Sequence, residues 1–167
     1  ALTDTNNMFA ALEFSVAMAG AGVQPIIGCQ VDLAYITAQP GEKPREPAPV
    51  VLLAQSEVGY EHLMKLNSCL YIDKGGAVPE VTLDQLEQYS AGIICLTGGA
   101  GGPVGQLLQG GQAPAAEALM KRLHAVFGDR LYVELQRHPG ENGQPEAERL
   151  TERGFVEMAY AMGIPLV

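Results

Sequence analysis

Four short apolar runs, separated by stretches of helical or loop character, constrain the fold of this chain more than any other feature. The runs lie at residues 23–34, 50–54, 92–96 and 131–135. Apolar segments like these, rich in Val, Ile and Leu and bounded by Gly or Pro, are typical of buried β-strands. Because the strand patterns alternate with helix patterns, we predict an α/β protein. Periodicity alone does not choose between a barrel and a layered sheet.

Five helices are predicted before, between and after these strands. They cover residues 8–21, 57–71, a short piece around 83–86, a segment that ends at Gly128 and a segment that starts at Pro145. Asn6 or Asn7 is a suitable N-cap for the first helix, and Ser56 for the second. Spacings of three or four residues define the inward faces. These faces are Met8, Leu12, Val16 and Ala19; Leu63, Leu66 and Leu70; Ala115, Leu119, Leu123 and Val126; and Leu150, Met158 and Ala161.

The pattern indicates one domain over residues 1–167, and a hairpin whose proline-rich loop covers about residues 38–49. Both chain ends, Ala1-Leu2-Thr3 and Pro165-Leu166-Val167, have the character of buried strands. Domain termini usually lie in exposed polar linkers, so we expect a partial domain. Open strand edges would favour a homodimer. A complete small domain with peripheral terminal strands is the alternative.

The charge balance excludes one class of function. Ten Lys and Arg residues stand against nineteen Asp and Glu residues, which gives a net charge of −9, and no basic run occurs. A surface of that sign repels a phosphate backbone, so we expect no direct binding of nucleic acid. The apolar runs fall far short of the ~20 residues that span a bilayer, so no membrane association is expected. Three widely spaced cysteines fit a reducing compartment such as the cytoplasm.

Polar residues at the predicted strand ends are the candidates for chemistry, because active sites of α/β barrels gather at the carboxyl ends of the strands. Such positions are held by Asp4-Thr5, Cys29-Gln30, residues 97–99 and residues 134–138. Asp4 is either a ligand for a divalent cation or a cap for backbone N–H groups of its turn. His138 is either a ligand or a solvated loop side chain. The glycine-rich stretch 98–102 lacks the ending of a phosphate-binding loop, which favours a simple turn.

Six ordered segments resemble the polymerase-and-histidinol-phosphatase (PHP) domain of bacterial DNA polymerase III alpha subunits. They lie at residues 1–14, 22–29, 52–55, 59–66, 92–99 and 130–138, so the resemblance covers essentially the whole chain. It implies an incomplete, distorted (βα)7 TIM-like barrel of the PHP type, with the first and last strands missing. The family's opening His-x-His strand and its closing segment with Asp and His ligands are not present in this sequence.

The resemblance also implies where a metal would bind. Asp4 and His138 match ligand positions of the family. Thr5 stands where the family usually has His, Gln30 where it has Glu, and Gly99 where it often has Cys or His. Three losses among five positions predict a degenerate site, with residual zinc or manganese at most and no other cofactor. No Ser or Cys has a base and an acid at a known spacing, so no catalytic residue is predicted.

By the same resemblance, the chain is expected to be part of a replicative polymerase alpha subunit. The parent enzyme would be a magnesium-dependent, DNA-directed DNA polymerase. The residues present here are expected to be non-catalytic and to serve as a scaffold or docking site for the proofreading exonuclease and other replisome proteins. The alternatives are the error-prone translesion paralogue and a metal-dependent phosphoesterase of the PHP superfamily. Gln30 and Gly99 argue against the phosphoesterase.

Overall fold

Within the part of the chain that the structure describes, the fold consists of six α-helices and a five-stranded mixed sheet. The structure is a computed structural model, and it describes residues 1–36, 46–72, 78–139 and 143–167. The strands are β1 (Gly28–Ala34), β2 (Ala48–Ala54), β3 (Val81–Thr82), β4 (Ile93–Leu96) and β5 (Leu131–Tyr132). The helices are α1 (Ala11–Gly20), α2 (Glu57–Tyr71), α3 (Leu83–Gln88), α4 (Pro103–Gln109), α5 (Ala113–Phe127) and α6 (Glu146–Met162). The α/β class is confirmed, while most of the predicted loop at 38–49 lies outside the described residues.

The strand order in the sheet is β3-β1-β2-β4-β5. β1 and β2 form the predicted antiparallel hairpin, with a register that runs from Gly28 opposite Leu53 to Leu33 opposite Ala48. β2 is also antiparallel to β4, whereas β1 pairs in parallel with β3, and β4 with β5. Consequently β2 is the one described strand that runs against the others.

Both ends of the chain pair with this sheet. Leu2 and Thr5 form parallel bridges with Ile27 and Gln30, beside the first half of β1. Backbone hydrogen bonds connect the two segments, including Gln30 N to Asp4 O at 3.0 Å. At the other end, residues 165–167 run parallel to residues 133–135, and the Val167 amide donates to the carbonyl of Val133 at 3.0 Å. Both termini therefore pair with the sheet as predicted, but through isolated bridges. The burial predicted for them is wrong, since Leu166 and Val167 are exposed and residues 1–4 are at most half-buried.

The two faces of the sheet differ in burial because side chains alternate along each strand. The first face packs against the helices in one hydrophobic core. Its sheet residues are Cys29, Val31, Leu33, Val50, Leu52, Ile93, Cys95, Leu131 and Val133. The second face is only partly buried, and it is formed by Gln30, Asp32, Val51, Leu53, Ile94, Leu96, Tyr132 and Glu134. A mainly apolar sheet face is thus left without a helical cover among the described residues.

Helix α2 follows its predicted pattern closely. The hydroxyl oxygen of Ser56 accepts a hydrogen bond from the Gly59 amide at 3.2 Å, which caps the helix. Leu63, Leu66 and Leu70 are fully buried in the core. In α5, Leu119 and Leu123 are buried as predicted. At the two ends of that face the burial moves by one position, to Ala116 from the exposed Ala115 and to Phe127 from Val126. Among the described residues, no helix combines the length and the hydropathy needed to cross a bilayer.

The inward faces predicted for the first and last helices are largely wrong. In α1, Leu12 is 78% exposed and Val16 is 65% exposed. Nearly every residue of this helix is apolar, so its own sequence does not define an inward side. In α6, Leu150 and Ala161 are exposed, and the buried stripe is instead Glu148, Thr151, Phe155 and Ala159. This stripe has helical spacing too, but it contains two polar residues whose partners lie elsewhere in the fold.

Two local predictions also need correction. The first helix begins at Ala11 with no side-chain cap, while Asn7 Oδ1 accepts from the Phe9 amide one turn earlier, at 3.1 Å. Helix α4 was not predicted, because it follows directly on the glycine-rich stretch. The sequence feature that indicates this helix is Pro103, because proline is favoured at the first position of a helix.

Candidate functional site

A row of paired residues crosses the sheet where the predicted site residues lie. Gln30 pairs with Thr5 on one side and with Val51 on the other. Val51 in turn pairs with Leu96, and Leu96 with Tyr132. Because residues 2–5, β1, β4 and β5 run in the same direction, their carboxyl ends lie at one edge of the sheet. The predicted site residues share that edge, but β2 divides them into two groups.

The first group lies beside β1 and contains Asp4, Thr5 and Gln30. The amide of the Gln30 side chain donates from Nε2 to the Thr5 hydroxyl at 3.2 Å. These are two neutral groups, so together they bring no charge to the site. No described residue donates a hydrogen bond to the Asp4 carboxylate, although its backbone carbonyl accepts from Gln30 N and from the Cys29 thiol. The expectation that Asp4 caps its turn is therefore not met within the described residues.

Asn6 fixes the turn that follows this first strand. It has a φ of 56°, and it is the one non-glycine residue with positive φ among those described. Its side chain donates to Asp32 Oδ2 at 2.8 Å and accepts from the Asp32 amide at 3.0 Å. Its own carbonyl accepts from the Tyr71 hydroxyl at 2.7 Å. Asparagine tolerates this left-handed conformation better than most residues, so the turn follows from local sequence.

The second group lies at the ends of β4 and β5 and is organised by Gln136. Gly99 has a φ of 57°, and a Cβ placed on it would lie 2.7 Å from Cδ of Gln136. The Gln136 amide therefore occupies the space that a side chain at position 99 would need. Its Nε2 donates to Glu134 Oε1 at 2.7 Å. The Glu134 backbone amide donates to the buried Thr97 hydroxyl at 3.0 Å, which joins the two strand ends.

His138 belongs to the same group through Glu148, in the first turn of α6. Its Nδ1 lies 2.5 Å from Glu148 Oε1, and its backbone amide donates to Oε2 at 2.9 Å. The Glu148 side chain is 6% exposed, whereas that of His138 is 67% exposed. The hydrogen bond from His138 holds the pKa of Glu148 below its ordinary value. Glu152 lies one turn after Glu148 in α6. The guanidinium of Arg137 pairs with Glu152, and this hydrogen bond lowers the pKa of the Glu152 carboxyl.

Cys29 and Cys95 do not contribute anionic ligands. Burial raises the pKa of the Cys29 thiol, and it raises the pKa of Cys95 to about 12. Cys29 is also engaged, since its sulfur accepts from Asn67 Nδ2 at 3.2 Å and donates to backbone carbonyls. The thiolate is the form that binds metal, so both cysteines are structural at neutral pH.

The described residues do not fit a metal centre of the kind that the resemblance implies. Nowhere in the described ranges do three or more His, Cys, Asp or Glu side chains come together in a group that could hold an ion. Zinc sites in proteins take three or four such ligands. Here Gln30 is a neutral amide bonded to Thr5 and Gly99 has no ligand atom, so the ligand types left among the five matched positions are Asp4 and the Nε2 atom of His138. Two such ligands are fewer than a zinc site needs. No metal-dependent step follows from this arrangement.

Two residues of the second group were missed by sequence reasoning. Gln136 was included only as part of the loop, and Glu148 was not considered at all. The spacing of residues 148, 151, 155 and 159 indicates Glu148, because it fits a helix as well as the stripe of Leu150, Met158 and Ala161 does. In addition, Oε2 of Glu134 is the one buried side-chain oxygen or nitrogen without a hydrogen-bond partner in the described part of the chain.

Comparison with known proteins agrees with the resemblance. Residues 1–138 match the family described as PHP domain. A DNA polymerase III subunit alpha from Caulobacter vibrioides is 42% identical over 167 residues, which cover 99% of this chain and 14% of the relative. Proteins of the same name from Treponema pallidum and Thermus aquaticus are 34% and 30% identical, each over 100% of this chain and 14% of the relative. The chain thus spans about one seventh of the length of these relatives.

Proposed function

This chain belongs to the PHP domain family, and on that premise we propose that it forms part of the alpha subunit of a bacterial DNA polymerase III. In that subunit it acts as a docking scaffold for the proofreading exonuclease and other replisome proteins, in the cytoplasm. The parent protein carries out DNA-directed DNA synthesis with magnesium. The residues of this chain take no part in that chemistry.

The observation that carries the scaffold proposal is the way the strand-end positions are occupied. Gln136 fills the space over Gly99, and the carboxylate of Glu148 binds both the ring and the backbone amide of His138. Thr5 and Gln30 bond to one another. Of the five matched positions, Thr5, Gln30 and Gly99 are therefore neutral and His138 is engaged in holding two elements together. The carboxylate of Asp4 remains as the one anionic group among them.

The finer fold proposal is an incomplete barrel. The face of the sheet that carries Gln30, Val51, Leu53, Ile94 and Leu96 is apolar and only partly buried. In a barrel this face would be the interior, filled by side chains from strands on all sides. Parallel pairing of both chain ends next to β1 and β5 continues the sheet in both directions, as a closing barrel requires.

The charge distribution supports a protein partner over nucleic acid. Four cationic side chains, Lys121, Arg122, Arg137 and Arg153, pair with carboxylates of the same chain. With nineteen Asp and Glu residues against ten Lys and Arg residues, the net charge of −9 repels phosphates. We expect negligible affinity for primed template at physiological salt.

Size-exclusion chromatography with light scattering tests the docking role. The chain is mixed at micromolar concentration with the proofreading exonuclease subunit of the organism that encodes it. We expect the two to elute together with a mass equal to their sum, and separate elution would reject the docking role.

A nuclease assay tests the non-catalytic role. With Mn²⁺ or Zn²⁺ present, the chain alone is expected to release no nucleotide from an end-labelled single strand. The control is His138→Ala: a nuclease activity that the wild type shows and this variant loses would be intrinsic, and it would reject the proposal.

A further inference from the structure

The carboxamide of Gln136 lies directly over Gly99, where the chain turns after β4. Gly99 has a φ of 57°. A Cβ placed on it would lie 2.7 Å from Cδ, 2.9 Å from Oε1 and 3.1 Å from Nε2 of Gln136. Apart from the chain neighbours of Gly99, these three atoms are the nearest to that Cβ, so the carboxamide as a whole takes up the space beside position 99. The two residues follow different strands, β4 and β5.

Gln136 is held in this position through both its side chain and its backbone. Its Nε2 donates to Glu134 Oε1 at 2.7 Å, and its backbone carbonyl accepts from Gln144 Nε2 at 3.3 Å. Glu134 is in turn fixed to the other strand end, because its backbone amide donates to the hydroxyl of the fully buried Thr97 at 3.0 Å. A free glutamine side chain would rotate away from a new neighbour, whereas this one must first break its hydrogen bond with Glu134.

Two independent features therefore exclude a larger side chain at position 99. The left-handed backbone conformation favours glycine, since a residue with a Cβ is strained at positive φ. In addition, the carboxamide of Gln136 fills the adjacent space. By resemblance, this is a position at which related domains often carry Cys or His. The disagreement with a metal centre thus lies in the packing at Gly99 as well as in the missing ligand atom.

We propose that Gln136 and Gly99 form one coupled unit that ties the ends of β4 and β5 together and closes position 99 to any ligand-bearing side chain. Two contacts then link these strand ends, the packing of Gln136 on Gly99 and the hydrogen bond from Glu134 to Thr97. A consequence is that Cys or His introduced at position 99 does not restore a ligand while Gln136 remains. The coupling goes beyond the docking role, because it is internal to this chain and holds whichever partner binds.

A double-mutant cycle measures the coupling. Urea denaturation gives the folding equilibrium constant of the wild type, of Gly99→Ala, of Gln136→Ala and of the double variant. Gly99→Ala is expected to lower this constant about tenfold more in the wild-type background than in the Gln136→Ala background, because the new methyl group meets the carboxamide only in the first. Equal losses in the two backgrounds would overturn the proposal.

A second glycine separates this contact from backbone strain. Gly111 has a φ of 66°, but a Cβ there would meet nothing within 4 Å. Gly111→Ala should therefore reduce stability less than Gly99→Ala, and Gln136→Ala should not change its effect. A loss for Gly111→Ala as large as that for Gly99→Ala would contradict the contact with Gln136.

Gln136→Glu tests the hydrogen bond with Glu134, since it keeps the volume of the side chain but replaces the donor with a second carboxylate. It is expected to lower the folding equilibrium constant about tenfold. Gln24→Glu adds the same charge at an exposed position and should change the constant less than about twofold. Equal effects of the two variants would overturn the proposal.

Hydrogen exchange in the wild type keeps the proposal testable even if a variant fails to fold. NMR should show at least one Nε2 proton of Gln136 exchanging with solvent about ten times more slowly than the Nε2 protons of the exposed Gln24. Equal exchange at the two side chains would show that Gln136 is not held by Glu134 and would overturn the proposal.

Discussion

Glu148 holds His138 at two points, with Oε1 2.5 Å from Nδ1 of the ring and Oε2 2.9 Å from the backbone nitrogen. One nearly buried carboxylate thus fixes both the side chain and the backbone of a position that matches a metal ligand in related domains. The contact joins the loop after β5 to the first turn of α6. We infer that His138 has a structural role in this chain.

Replacing Glu148 with Gln should loosen this loop. An amide keeps only one acceptor oxygen, so one of the two donors of His138 loses its partner in a largely buried setting. We expect the melting temperature to fall by several degrees and amide exchange of the His138 loop to become faster. Glu146→Gln, at an exposed position in the same helical turn, is the control and should leave both unchanged. An equal response of the two variants would contradict the structural role.

Stability should fall with acid in a defined range. Hydrogen bonds from His138 and Arg137 lower the pKa values of Glu148 and Glu152, respectively, below 4.5. Because the folded-state pKa is the lower one, the stabilisation is complete above about pH 4.5 and is lost as pH falls through the lowered pKa. Melting curves are recorded between pH 6 and pH 3, about one per half pH unit, for the wild type and for the double variant Glu148→Gln with Glu152→Gln. As the pH falls, the melting temperature of the wild type should approach that of the double variant. A difference in melting temperature that stays constant with pH would show that these two carboxylates do not cause the loss of stability in acid.

Close contact between two backbones requires glycine at position 59. A Cβ on Gly59 would lie 1.8 Å from the carbonyl oxygen of Gly92, in the turn that precedes β4. Gly59→Ala therefore has to push α2 away from that turn, and we expect a loss of about 3 kcal/mol. Gly20→Ala, at the end of α1, meets nothing within 4 Å and should not destabilise the chain. Chemical denaturation of both variants measures the difference, and similar midpoints would argue against this packing.

The corrected face of α6 can be tested with two substitutions. Phe155 is 1% exposed and Leu150 is 59% exposed. Phe155→Ala should cost about 3–5 kcal/mol through loss of burial and the cavity that remains. Leu150→Ala should change stability by less than about 0.5 kcal/mol. The reverse order, measured by urea denaturation, would mean that the helix presents the face that its Leu, Met and Ala residues suggested.

Local signals were sufficient for much of the fold. Ser56 and the leucines of α2 predict both the start and the buried face of that helix, because a cap and a period of 3.6 residues agree there. The hairpin of β1 and β2 was also predictable, since two apolar strands border a polar loop. Pairing across the sheet is set by long-range contacts, however. The row from Thr5 through Gln30 and Val51 to Tyr132 therefore required the structure.

The failures have a common physical cause, which is that the partner of a residue decides its position. Glu148 and Thr151 face inward because His138 and backbone carbonyls satisfy them there. A prediction from the apolar pattern alone places Leu150 on the inward face and leaves Glu148 and Thr151 outside. In the same way, the sequence predicts the loss of ligand types at Thr5, Gln30 and Gly99. It does not predict that Gln136 lies over Gly99.

The metal content of the purified chain tests the central claim most directly. The chain is purified without chelator, incubated with equimolar Zn²⁺ or Mn²⁺, desalted and measured by inductively coupled plasma mass spectrometry. Because Thr5, Gln30 and Gly99 offer no anionic ligand, Asp4 and His138 are the ligand types left at the matched positions, and two are too few to hold an ion tightly. We therefore expect less than about one tenth of an equivalent of either metal. One equivalent retained by the wild type and lost in His138→Ala would contradict the account, since it would show that a metal centre forms at these strand ends.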